Sequence, residues 1–271
     1  MLRIFDGKAL ALAKLNKLTL QVEKLKEKGV TPKLVSILVG DNPASTLYVN
    51  LKKKAGEKVG VEVEIIHLPK NEKSEELKNL IDKFNKDESV HGIMVQLPLP
   101  KKFSKKERDE IIGRIAKEKD VDGLHHDSFY LTPTVKAILE AVKQANPLSK
   151  HSYKVCIVGH KGFEGRKIYR IFKKMGYKVD GADSKTKDLK NKSLKADILI
   201  SATGKAGLIR GGMVKEGAVV IDVGSPKGDV KTEEAGEKAS FISPVPGGVG
   251  PVTIACLLEN LMQSTIYLSR R

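Results

Sequence analysis

Apolar residues in this chain follow two patterns that take turns from one end to the other: short continuous runs closed by turn residues, and longer stretches in which they recur every three or four positions. Leu10, Ala13, Leu18, Val22 and Leu25 keep helical spacing up to Gly29, which predicts a helix over residues 8–28. The run Lys33–Val39, stopped by Gly40, reads as a buried strand. Pro43 and Gly60 bracket a second helix, because proline is favoured in the first turn and glycine just past the last. A strand over 61–67, a helix over 74–85 and a strand over 92–95 follow. Ser104 with Glu107 three positions on is a capping-box pattern for a short helix to about Ala116. DVDGLHHDSFYLTPT, residues 120–134, has no period and reads as loop, with His125 and His126 inside it, until Pro133 opens a helix to about Gln144.

The polar stretch ANPLSKHSYK, residues 145–154, predicts a linker and a domain boundary. VCIVG, 155–159, then runs into Gly162 and Gly165 and a helix over 165–174, and strand, glycine turn, helix is the opening of a mononucleotide-binding half. Short apolar runs recur at 178–179, 198–200, 219–223 and 240–242, and a helix over 251–267 closes the chain. Strands that alternate with helices in this way give an α/β protein with parallel strands.

Composition narrows the class. The chain has 271 residues, 40% hydrophobic and 30% charged, enough for about two domains with real cores. No run approaches the roughly 18 apolar residues of a membrane span, and Asp6 and Lys8 interrupt the N-terminal stretch before a secretory core could form, so a soluble cytoplasmic protein with no membrane partner is expected. Cys156 and Cys256 sit inside apolar patterns with no CxxC partner, which excludes a disulfide framework and a thiolate zinc site; no metal is expected. The net charge of +16 would suit a polyanion, but lysine is scattered through nearly every helix pattern, aromatics are 5% and tryptophan is absent. That footprint argues against nucleic acid as the partner and leaves anionic small molecules.

Chemistry-bearing residues fall at strand ends and turns. Gly159, Gly162 and Gly165 have the spacing G-x-x-G-x-x-G, which lets backbone N–H groups approach a pyrophosphate at a helix N-terminus and equally makes an ordinary tight turn. In GADSKTK, Ser184 and Lys185 offer a hydroxyl and an ammonium to a 2′-phosphate, hence NADP, whereas Asp183 offers a carboxylate to the free 2′-hydroxyl of NAD. Tyr48 and Lys52, four apart on a helix, project from one face as a phenol–amine pair. Short-chain dehydrogenases also combine Y-x-x-x-K with a glycine loop, but with the glycine loop first; here the order is reversed. Gln96 ends an apolar strand, the position where open α/β sheets bind ligands. Asp120 and Asp122 in DVDG could serve acid/base work or simply tie a turn, and PVPGGVGPVT, 244–253, is a stiff glycine-rich turn ahead of a helix.

Taken in this order, DNPASTLYVNLKKKAGEKVG, GIMVQLPLP, KDVDG, VIDVG and PVPGGVGPVT resemble the bifunctional methylenetetrahydrofolate dehydrogenase/methenyltetrahydrofolate cyclohydrolase family over almost the whole chain. The resemblance implies a folate-binding α/β domain over residues 1–148, completed by the C-terminal helix 251–268, a Rossmann-like NAD(P)-binding domain over 149–245, and a cleft between them. It implies oxidation of 5,10-methylenetetrahydrofolate with NADP, hydrolysis of the methenyl product to 10-formyltetrahydrofolate without a metal, and a homodimer joined through the cofactor domains. By the same resemblance Lys52 is the catalytic lysine, Tyr48 stacks on the folate and orients it, Gln96 tunes it, and Asp122 holds the pterin edge. Val95, Leu97, Pro246, Gly247, Gly248 and Gly250 join these four as substrate-binding residues. Gly159, His160, Lys161, Gly162, Gly165, Ser184, Lys185, Ser225, Gly250 and Thr253 are the implied cofactor contacts.

The chain departs from the family where the cofactor binds. Members commonly carry Arg-Ser after the first glycine and Pro after the third, whereas this chain has His160 and Lys161, and Arg166 followed by Lys167. Lys161 can meet a 2′-phosphate by charge, which favours NADP and leaves NAD as the alternative cofactor. The loop after DVDG is also short, reaching Leu131-Thr132-Pro133 within a few residues. Two other functions stay open on sequence: a monofunctional dehydrogenase or cyclohydrolase of the same fold, and a non-catalytic basic binding protein, which would have no need of Lys52.

Overall fold

Seven consecutive residues, Lys33–Val39, place six side chains out of solvent, as expected of a strand covered on both faces. A computed structural model describes residues 1–125, 127–145 and 153–270. In chain order the elements are β1 (Arg3–Ile4), α1 (Gly7–Lys26), β2 (Lys33–Val39), α2 (Pro43–Lys58), β3 (Glu62–Leu68), α3 (Ser74–Lys86), β4 (Gly92–Val95), α4 (Lys105–Gly113) and α5 (Pro133–Ala145). The second half runs β5 (Lys154–Val158), α6 (Phe163–Lys174), β6 (Lys178–Ala182), α7 (Leu189–Ser193), β7 (Ile198–Ser201), β8 (Val219–Asp222), α8 (Thr232–Gly236), β9 (Phe241–Ser243) and α9 (Val249–Leu268). Strands alternate with helices and every pairing is parallel, which is the predicted α/β class. By its contacts the chain divides into two units, residues 12–133 with 254–271, and residues 1–11 with 134–253.

The unit of residues 12–133 and 254–271 is built on a three-stranded sheet in the order β3-β2-β4. Alternate side chains of these strands feed two cores. Leu34, Val63 and Met94 pack with Leu18, Val22, Leu257 and Leu261 of α1 and α9. Val35, Ile37, Ile93 and Val95 pack with Leu77, Ile81, Phe84 and Ile111 of α3 and α4. Polar bonds then fix the loop edges: the Asn260 amide donates to Val121 O at 2.8 Å and Leu131 O at 2.9 Å, and the Ser264 hydroxyl to His91 O at 2.5 Å. Ser104 and Glu107 do form a capping box at the start of α4.

The unit of residues 1–11 and 134–253 carries a six-stranded sheet in the order β1-β9-β8-β7-β5-β6. One of its cores joins Cys156, Val158, Leu199, Val220 and Ile242. Several expectations shift here. Residues 1–11 and 134–148 were expected to belong with the folate-binding half; by contacts, residues 1–11 and 134–145 fall in this unit, because β1 pairs with β9 and the Arg3 guanidinium bonds Ala145 O at 2.6 Å. Most of the expected linker, 146–152, lies outside the described residues. α6 begins at Phe163, two residues before the expected Gly165, and α9 at Val249, two before Pro251. Gly250 therefore stands within the first turn of a helix, and the Thr253 hydroxyl donates to Gly250 O at 2.6 Å.

Candidate active site

Asn42 starts α2: its side chain accepts the Ser45 N–H, and Pro43 supplies a first-turn residue whose missing N–H costs nothing there. The helix so fixed carries Tyr48 and, one turn on, Lys52, both partly buried. The Lys52 ammonium reaches the sheet at the end of β4, donating to Gln96 Oε1 at 3.0 Å, with Met94 Sδ at 3.8 Å. Gln96 is held on three sides. Its backbone N–H donates to Ile37 O at 2.8 Å and its Nε2 to Leu97 O at 2.7 Å, so the amide oxygen is left for the lysine, which can only donate when charged. Burial pushes the Lys52 amine below its ordinary value, and the Asp122 carboxylate pulls in the opposite direction. Tyr48, Lys52, Gln96 and Asp122 thus belong to one unit, with Lys52 coupled to Gln96 by a bond and to Asp122 by charge.

The two carboxylates of DVDG differ in role. Asp120 is fully buried and accepts the N–H groups of Leu124 at 3.1 Å and His125 at 2.8 Å. Burial pushes its carboxyl up to about 6 in spite of those bonds. Asp120 is the turn-tying residue, and Asp122 is the carboxylate that acts on Lys52. His125 also gains a partner, its Nδ1 facing the Asp127 N–H at 3.1 Å, while His126 lies outside the described residues. Val95, expected to touch substrate, has its side chain fully buried in the core with Ile37 and Ile93, and Leu97 packs partly against the same cluster. Strand alternation sends residue 95 inward when 94 and 96 face the other way. Lys119 carries a signal that the sequence reading missed: its buried ammonium donates to the carbonyls of Phe84, Asn85 and Asp87 and ties down the C-terminal end of α3.

In the other unit β5 is followed by Gly159, whose φ of +89° is open to glycine and strained for other residues. A Cβ there would lie 2.5 Å from Ala202 O, and one on Gly165 would overlap the carbonyl of Gly159. Close backbone approach therefore requires both glycines, and the Gly162 N–H closes the turn on Gly159 O at 2.8 Å. Against this loop lies a cavity of about 400 Å³ lined by Gly159, Lys161, Gly162, Asp183, Ser184 and Thr203. A glycine cradle at a parallel strand's carboxyl end, opening on a space of this size, fits a dinucleotide. Among the described residues no group of three or more His, Cys, Asp or Glu side chains could hold a metal ion.

Two of the altered positions, His160 and Lys161, are engaged at the end of β6. His160 turns to β6: its N–H and Nδ1 lie 3.3 Å and 3.0 Å from Ala182 O, and its ring stacks at a tilt on Tyr169. Lys161 pairs with Asp183 at 2.5 Å, and the Lys185 backbone N–H donates to the other oxygen of that carboxylate at 2.8 Å. The Lys161 bond holds the Asp183 carboxyl below the usual range. Ser225 is exposed on a loop anchored by buried Asp222, which accepts the N–H groups of Gly224, Asp229 and Val230. Asp229 in turn accepts the hydroxyls of Ser201 and Thr203 at 2.8 Å each. Pro246, Gly247 and Gly248 form the turn before α9, where Gly247 has φ +99° and the Gly7 N–H bonds its carbonyl at 3.0 Å.

Two family models cover the chain: tetrahydrofolate dehydrogenase/cyclohydrolase, catalytic domain, over residues 5–122, and the NAD(P)-binding domain of the same family over 132–268. The bifunctional protein FolD of Bacillus subtilis is 41% identical over 277 residues, covering 96% of each chain. The crystal structure of the bifunctional enzyme FolD, methylenetetrahydrofolate dehydrogenase/cyclohydrolase, from Campylobacter jejuni superposes with a TM-score of 0.92 at 40% identity, covering 98% of this chain and 99% of the other. The Trypanosoma brucei enzyme, complexed with NADP cofactor and inhibitor, gives a TM-score of 0.92 at 31% identity over 99% of each chain. This chain belongs to the tetrahydrofolate dehydrogenase/cyclohydrolase family.

Proposed function

We infer that the chain is a bifunctional one-carbon folate enzyme, which oxidises 5,10-methylenetetrahydrofolate to 5,10-methenyltetrahydrofolate and hydrolyses that cation to 10-formyltetrahydrofolate. The observation that carries this reading is the bond from Lys52 to Gln96 at the end of β4, within the unit that holds most of the matched catalytic domain. NAD(P) supplies the acceptor for the hydride; we propose NADP as the working cofactor. The loop Gly159–Gly165, with Ser184, Lys185, Ser225, Gly250 and Thr253, is the proposed binding set. A cytoplasmic homodimer joined through the cofactor domains completes the proposal.

The residues' own chemistry follows from their surroundings. Water must lose a proton as it adds to the methenyl carbon, and a lysine whose amine is pushed down by burial has a larger neutral fraction near neutrality to receive it. The positive charge of the methenyl substrate favours that neutral form further. Gln96 fixes where the lysine nitrogen stands, Tyr48 offers a ring to stack on folate, and Asp122 offers two acceptor oxygens to the amino-pyrimidine edge.

The test mixes purified protein with 5,10-methylenetetrahydrofolate and either NADP or NAD. Reduction is followed by absorbance, and methenyl is measured before and after acid, which closes the formyl product back to methenyl. Reduction together with an acid-dependent methenyl increment is expected. Hydrolysis of added methenyl substrate with no reduction of either cofactor would replace the reading with a cyclohydrolase alone.

A further inference from the structure

Asp183 follows β6 directly, and β6 pairs with β5, so this carboxylate stands at the carboxyl end of the second strand of the mononucleotide half. That is the place from which an acidic residue receives the 2′-hydroxyl of a dinucleotide's ribose. Its own N–H donates to Thr186 Oγ1 at 3.0 Å and one oxygen accepts from Lys185 N, so a local turn holds it. The side chain is 14% exposed and lines the same cavity as Gly159 and Gly162. Lys161 is 66% exposed and bonds the other oxygen of the carboxylate. An exposed lysine pair of this kind is held weakly and opens easily.

The same lysine borders a second recess of about 430 Å³ in which Arg166, Arg170 and Lys173 recur along one face of α6. A 2′-phosphate brought to this corner therefore meets opposed fields: attraction from Lys161 and the α6 cations, repulsion from Asp183. A 2′-hydroxyl carries no charge and can donate to Asp183 without that repulsion. His160 cannot change the balance by reaching in, since its ring is bonded to Ala182 O and packed over Gly181, where a Cβ would come within 2.5 Å of it.

We propose that the Lys161–Asp183 pair sets the dinucleotide selectivity of this chain: the carboxylate receives a free 2′-hydroxyl, the ammonium reaches a 2′-phosphate only when the pair opens, and NAD and NADP are bound with little discrimination. The proposal rests on the cofactor reading above and names the residues that weaken its preference for NADP. Asp183 is the positioning and selectivity residue. Removing its charge while keeping its shape turns the site toward NADP.

Calorimetric titration with NAD, NADP, 5′-ADP and 2′,5′-ADP tests this without turnover. For the unaltered protein the NAD and NADP dissociation constants are expected to lie within about tenfold of each other, or about 1.4 kcal/mol. Asp183→Asn, which preserves the turn, is expected to raise the preference for the 2′-phosphorylated member of each pair by about tenfold, and Lys161→Gln to lower it. Added salt should shrink the Asp183→Asn effect, as an effect of charge requires. A ratio unmoved by Asp183→Asn in a protein that melts like the original, or a preference for NADP above a hundredfold before any change, overturns the proposal. Failure of both dinucleotides to bind the unaltered protein overturns the cofactor reading itself, a result distinct from binding of both with an unresponsive ratio.

Discussion

Replacing Gln96 with glutamate exchanges a neutral acceptor for a carboxylate at the atom 3.0 Å from the Lys52 ammonium, with little change of shape. An opposite charge this close raises a lysine's pKa by about 1–3 units, each unit being about 1.4 kcal/mol in favour of the protonated form. The direction opposes burial, which lowers the amine in the unaltered protein. If hydrolysis requires neutral Lys52, the rising limb of its pH profile should move up by about 1–3 units, and at a fixed pH on that limb the rate should fall by roughly 10- to 1000-fold. The assay is the decay of methenyl absorbance, enzyme minus buffer, over about pH 6 to 9, with single turnover to remove product release. Gln96→Leu is the control: it removes the orienting bond without adding charge, so its rate should drop with no upward displacement of the limb. A Gln96→Glu profile that is lower at every pH but keeps its limb in place would refute the claim that Lys52's protonation state limits hydrolysis.

Three further outcomes are expected. Lys52→Met should bring hydrolysis down by roughly 10²–10⁴-fold while leaving NADP binding measurable by calorimetry and the melting temperature no lower, because an ammonium that burial disfavours is exchanged for an apolar chain of similar length; wild-type hydrolysis would remove Lys52 from the mechanism. Asp120 has a folded-state carboxyl raised to about 6, so its contribution to stability is complete below its unfolded value near 3.8 and lost as pH rises through about 6. Asp120→Asn should remove that slope, about 3 kcal/mol across the window, from urea denaturation measured between about pH 4 and 7. Gly165→Ala would drive a methyl into the Gly159 carbonyl and should abolish dinucleotide binding, with a loss of about 1–3 kcal/mol in stability; unchanged affinity would mean that the loop is not the cradle.

Much of the scaffold was legible because its strands are covered on both faces and so read as unbroken apolar runs. β2, β4 and β7 have almost every side chain buried, and their limits follow from the glycine or polar residues at their ends. β1 gave no such signal. Its two residues are exposed, and it is a strand only because Phe241 and Ile242, far along the chain, offer it an edge. α7 and α8, at five residues each, are too short to display a period. The site divides in the same way. Tyr48 and Lys52 were readable from helical spacing and Gln96 from its place at a strand end. The distinct duties of Asp120 and Asp122 were not, since what separates them is the set of backbone N–H groups that the fold turns toward one carboxylate.

At the glycine loop His160 and Lys161 are both tied to the end of β6. His160 occupies the surface of β6, and its ring leaves no room for a Cβ at Gly181. With residue 160 committed to Ala182 O, the loop presents Lys161 to the end of β6, where it meets Asp183. Changing His160 alone to a longer cation would lose the ring's bond to Ala182 O and its packing over Gly181, while the backbone N–H groups of residues 159 and 160 still bond that carbonyl. Changing Asp183 alone frees Lys161 and leaves the backbone bonds of the loop in place, because the N–H groups of Gly159 and His160 hang on the carbonyl of Ala182 and not on the carboxylate that follows it. Selectivity at the proposed cofactor site should therefore respond to residue 183 first.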